Sequence, residues 1–147
     1  MKKSLVLCLM AATLAAPALA RNTEYKLSLA DVMGSPEAKA KLDGSVKFYF
    51  GEKTMPAGAE RKGDDVINRI AKGAGRNDDI NACKAAAVDA LAGLQERAKQ
   101  LGANAVVDIV SYYKNTTFSS ATEYECHAGG TGGHLTFRAT FVSVPAK

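Results

Sequence analysis

The chain has 147 residues, 19 basic and 15 acidic, with two histidines, three cysteines and no tryptophan. Its basic residues are scattered, and removal of a leader at residues 1–20 leaves 17 basic against 15 acidic, a net charge of +2. That balance argues against a dedicated nucleic-acid binder, which concentrates Lys and Arg in one patch. The remaining 127 residues suit one domain with one modest core.

The leader is MKKSLVLCLMAATLAAPALA. Lys2 and Lys3 form a positive n-region, and Leu5 to Ala16 is an uncharged, mostly apolar run. Ala18-Leu19-Ala20 offers the small residues that signal peptidase reads. The run is short for ~30 Å of hydrocarbon, so a cleaved secretory signal is preferred to an anchor. Residues 21–147 are then expected as a soluble domain in the periplasm or outside the cell, without a membrane span. Cys8 leaves with the signal, and Cys83 and Cys126 remain. An even count in an exported protein reads as a disulfide; two buried free thiols are the other reading.

Taken in order, Glu24 to Leu29 alternates polar and apolar and predicts a strand, and Gly34 to Gly44 reads as a connection. Ser45 to Phe50 predicts a half-buried strand, with Val46, Phe48 and Phe50 on one face. Gly51 to Gly63 reads as a polar loop, and periodicity does not decide between strand and helix for Asp65 to Ala71. Gly73 to Asn77 reads as a turn, since no Lys-Ser or Lys-Thr follows Gly73-Ala74-Gly75 as a phosphate loop requires. Ile80, Cys83, Ala87, Leu91, Leu94, Ala98 and Leu101 recur at helical spacing and predict a long amphipathic helix. Asn77, Asp78 and Asp79 offer capping oxygens, and Gly102 ends the helix as a left-handed cap.

Ala105 to Val110 predicts a strand continuing to Tyr113, followed by a polar turn over Lys114 to Ser120. Ala121 to Cys126 and Leu135 to Val144 form a final strand pair, with residues 128–133 as its tip. The second of these alternates, with Leu135, Phe137, Ala139 and Phe141 on one side. The pattern implies an α+β fold: an antiparallel sheet of about five to six strands with one long helix on one face.

The stretch ACKAAAVDALAGLQERAKQLGANAVVDIVSYY, residues 82–113, resembles the YbjQ-type heavy-metal-binding domain family and the related RcsF fold of an envelope-stress sensor. The resemblance implies a cysteine before the helix and one in a late strand engaged in disulfides, positions that Cys83 and Cys126 match. The chain departs from the sensor in having two cysteines after the leader rather than four, and no lipidated cysteine or long tether.

Chemistry-bearing residues are few. His127 and His134 bracket the glycine-rich tip and read either as half of a Cu(II) or Zn(II) site or as two exposed imidazoles beside a turn. Strand alternation puts His127 and Cys126 on opposite faces. Asp108, inside an apolar strand, calls for a partner, for which Arg138 is one candidate. Tyr112 and Tyr113 are candidates for a partner-binding surface. No nucleophile elbow or triad is present. The sequence therefore predicts a non-enzymatic envelope protein acting through a protein partner, with no cofactor; copper or zinc binding by the histidines is the alternative.

Overall fold

A computed structural model describes residues 20–73, 75 and 78–146. The predicted signal segment, apart from Ala20, and the capping role of Asn77 lie outside the described residues. The elements are β1 (Thr23–Ser28), α1 (Leu29–Met33), α2 (Pro36–Lys41), β2 (Lys47–Phe50), β3 (Glu60–Ala71), α3 (Asp79–Gln100), β4 (Ala105–Tyr113), β5 (Thr116–Phe118), β6 (Glu123–Gly129) and β7 (Gly132–Ser143).

The fold is the expected α+β arrangement, a curled sheet with α3 packed against it. β7 organises the sheet. One of its edges pairs with β3 from Gly133 to Ser143, while the other pairs first with β6 and then with β4. β6 turns away to pair with β1, and β4 continues to β2 and β5. The β2–β4 pairing is parallel, so the sheet is mixed rather than wholly antiparallel. Parallel pairing needs a long crossover, and here residues 51–104, with β3 and α3, supply it.

The helix forms where the apolar spacing places it. Cys83, Ala87, Leu91, Leu94 and Ala98 are all buried, against Leu135, Phe137, Ala139 and Phe141 of β7. Each buried leucine contributes roughly 1.5–3 kcal/mol, and the intervening alanines let the helix lie close to the sheet. Ile80 departs from the stripe: it is exposed, and the buried side chain of the first turn is Asp79 instead. Gly102 closes the helix at φ +67°, and Ala103 N–H donates to the Ala98 carbonyl at 2.8 Å.

Four segments differ from the sequence reading. Residues 34–44 contain α2, which Ser35 caps and Pro36 begins, with Lys39 and Lys41 in its last turn. β3 starts at Glu60, inside the segment read as a loop, and its side chains other than Ile67 are partly or fully exposed, which hides its strand period. Thr116–Phe118 forms a short strand after a tight turn at Lys114 and Asn115, both at positive φ. β6 runs on through His127 to Gly129, leaving only Gly130 and Thr131 in the turn.

Asp108 is a further correction. It occupies a bulge in β4 at φ +52°, where the pairing with β7 shifts register. The bulge is what allows Val106, Val107, Ile109 and Val110 all to be buried. Its partner is Thr54, not Arg138: Thr54 N–H donates to Asp108 Oδ1 at 2.7 Å, and Asp108 N–H donates to Thr54 Oγ1 at 2.6 Å.

Candidate functional site

β6 divides its side chains between two environments. Tyr124, Cys126 and Ala128 face the helix and are buried in the core. Cys126 is joined there to Cys83 of α3, with Cα atoms 5.9 Å apart and a separation of 43 positions in sequence. The hairpin can approach α3 this closely because Gly133 has no side chain; a Cβ there would lie 2.6 Å from Cys83 N.

Glu125 and His127 point the other way. His127 Nε2 lies 2.8 Å from Glu125 Oε1, and the two side chains are only 9% and 11% exposed. The Tyr113 ring stacks on the imidazole at 3.6 Å, with 12° between the planes. Glu125 N–H donates to Ser111 Oγ at 2.9 Å. Both contacts join β6 to β4 where β7 passes from one to the other, so side chains take over where ladder hydrogen bonds end. His127 Nδ1 is buried and has no hydrogen-bond partner among the described residues.

The antiparallel register of β1 with β6 sets Glu24 opposite His127. One ligand atom each from Glu24, Glu125 and His127 lies within 4.8 Å of the others. His134 is also directly across from His127, on the β7 side. Its Nε2 lies 2.7 Å from Thr131 Oγ1, however, and it is not a member of that group of three. The sequence signal for His127 was the histidine pair. Glu24 had none, because only the β1–β6 register brings it there, from about 100 positions away.

Tyr112 and Tyr113 are both half-buried. The Arg138 guanidinium sits 4.5 Å from the Tyr112 ring centroid, and Tyr113 is covered by His127, with Lys114 Nζ 5.3 Å from its ring centroid. Together they form no continuous aromatic patch. The most exposed large apolar side chains are Val66 and Ile70 on β3, at 49% and 57%. A cleft of about 490 Å³ lies beside Arg61, Asp64, Asp108 and Arg138. Asp64 is engaged by Arg61 and Thr140, and Asp108 by Thr54, so these carboxylates have structural partners.

At the other end of the sheet, Arg21 grips Asp79 with both terminal guanidinium nitrogens, Nη2 at 2.9 Å, and Tyr25 Oη donates to the same carboxylate at 2.8 Å. These two donors hold the Asp79 carboxyl down to about 2, and the same contact raises the Tyr25 phenol. The arrangement ties the segment before β1 to the first turn of α3.

No protein family, curated protein or solved structure matches the chain. The resemblance to the RcsF and YbjQ-type proteins therefore rests on the sequence of residues 82–113 and the positions of Cys83 and Cys126. Among the described residues, no helix is long and apolar enough to cross a membrane.

Proposed function

We propose that this is an exported, non-enzymatic binding protein of the cell envelope, and that the open edge of β3 receives an extended segment of a partner protein. The observation that carries this reading is β3 itself. It is 12 residues long, and among the described strands it pairs only with β7. An edge of that length offers a row of backbone donors and acceptors to an added strand. Val66 and Ile70 flank Asn68 on one face of the edge, and Asp65 and Arg69 flank Ile67 on the other. The complementary segment is apolar at alternate positions on the first face. The second face lies toward α3, where Asp65 Oδ2 accepts from Arg97 Nε at 3.1 Å and Arg69 donates to the Asn68 carbonyl, so the side-chain recognition falls to the first face. Charges along a strand edge also suppress indiscriminate pairing.

Export is supported by the leader pattern and by the Cys83–Cys126 disulfide, a bond that persists in oxidising compartments. A role in the envelope is supported by the resemblance of residues 82–113. The test is site-specific photo-crosslinking in living cells, with the probe at Asn68 and, for comparison, at exposed Glu37 of α2. The expected result is one discrete adduct from position 68, lost in a Val66→Lys, Ile70→Lys background. Equal labelling from both positions, or an adduct indifferent to those substitutions, refutes the edge as the docking surface.

A further inference from the structure

The geometry points to a divalent transition-metal site formed by Glu24, Glu125 and His127, which takes a borderline ion of the Zn(II) class. It is a different ligand set from the two histidines of the hairpin, and it is independent of the β3 edge.

The three residues lie on two hydrogen-bonded strands, so their backbones are fixed by the sheet ladder rather than by a loop. Glu125 and His127 are about nine-tenths buried, whereas the Glu24 side chain is 51% exposed. An ion would thus enter from the solvent beside Glu24 and rest against two preset ligands. Zinc binds imidazole nitrogen and carboxylate oxygen at ~2.0–2.2 Å in tetrahedral geometry, which requires ligand atoms roughly 3.3 Å apart. His127 Nε2 and Glu125 Oε1 are 2.8 Å apart, and all three ligand atoms fall within 4.8 Å. Small side-chain rotations of the two glutamates close that difference without moving the strands.

The charge balance also favours a cation. Two carboxylates converge on one imidazole, and Lys26 Nζ is 3.5 Å from Glu24 Oε1 but also sits 4.7 Å from the Phe118 ring centroid. A divalent ion neutralises both carboxylates and replaces the hydrogen bond between His127 and Glu125 with two coordinate bonds. Coordination through Nε2 places the imidazole proton on Nδ1, which has no partner among the described residues. Metal-bound histidines normally donate that proton to a supporting acceptor. With three protein ligands and no acceptor for Nδ1 among the described residues, the site is one that exchanges its ion rather than a permanent structural centre. The fourth position is left to water.

The test is titration of the untagged, disulfide-intact protein with Zn(II), read by calorimetry and native mass spectrometry. One ion per chain is expected. Glu24→Gln and Glu125→Gln should each weaken binding by at least about tenfold, in line with the ~10–100-fold that loss of even a supporting residue costs. His134→Gln should leave affinity unchanged. Glu24 is half-exposed, so its variant keeps the test decisive should Glu125→Gln fail to fold. No stoichiometric uptake at about 1 mM Zn(II), a level that only a binding energy weaker than ~4 kcal/mol escapes, overturns the inference. Loss of binding on His134→Gln with Glu24→Gln unaffected also overturns it and returns the site to the hairpin pair.

Discussion

The two faces of β6 use the same strand for opposite purposes. Toward α3, Tyr124, Cys126 and Ala128 are packed among apolar side chains and closed covalently by Cys83. Away from it, Glu125 and His127 are nearly as buried yet polar, and they rely on each other, Ser111 and Tyr113. Each face also buries one polar atom without a partner among the described residues: Tyr124 Oη on the first and His127 Nδ1 on the second. The core face spends its hydroxyl as an isolated cost within a packed interior. The outer face holds its free nitrogen within a cluster of ionisable groups. Burial alone therefore does not separate structure from site; what separates them is whether the buried atoms belong to a set that can hold something.

The largest expected effect breaks the core face. Replacing Cys83 and Cys126 together by serine releases a loop of 43 residues, for which the chain-entropy relation gives about 4 kcal/mol. Urea unfolding of the variant against the oxidised protein measures it. A loss below about 1 kcal/mol would mean that packing of α3 against β7, not the bridge, holds the hairpin in place.

On the outer face the effect is smaller and of a different kind. His127→Leu removes the one side-chain partner of the Glu125 carboxylate among the described residues and leaves that carboxylate 11% exposed, which should cost about 1–3 kcal/mol. His127→Gln, which keeps a donor near Glu125, should recover part of that loss. Equal losses in the two variants would assign the effect to the Tyr113 stack instead of the His127–Glu125 contact.

The pairing of Arg21 with Asp79 predicts a smaller effect, confined to acid. The Asp79 carboxyl is held at about 2 in the folded protein, against an ordinary value of ~3.9 in the unfolded chain. Its stabilisation is complete above about pH 5 and is lost progressively as the pH falls to about 2 and below. Asp79→Asn should flatten the fall of the melting temperature across that window, and an unchanged slope would remove Asp79 from the account of acid unfolding.

Much of the core face was legible in the sequence, because buried strands and helices repeat their apolar residues at fixed spacing. The stripe from Cys83 to Ala98 and the alternation of Leu135, Phe137, Ala139 and Phe141 located α3 and β7 and the surfaces they share. β3 was not legible, since an edge strand buries little: only Ile67 of its 12 residues is fully enclosed. The candidate site was legible in part. Alternation placed His127 opposite Cys126, and the hairpin placed His134 across from it. Which ring nitrogen meets Glu125 or Thr131, and that Glu24 arrives from β1, depends on register between strands far apart in sequence, which no local pattern encodes.

The smallest effect sharpens the contrast between the two orphaned atoms. Tyr124 is wholly buried, its ring packs edge-on to Phe137 with centroids 6.5 Å apart, and burial raises its phenol well above the ordinary range. Tyr124→Phe keeps the ring and removes a hydroxyl that has no partner among the described residues. Deleting an unsatisfied polar atom from an apolar interior is neutral or stabilising, by up to about 1 kcal/mol. A gain or no change in the urea midpoint is expected, and Zn(II) affinity should not move, because the hydroxyl lies on the wrong side of β6. A loss of more than about 1 kcal/mol would show that the Tyr124 hydroxyl has a partner in solution, such as a bound water, and the two faces of β6 would then differ in only one orphan, at His127.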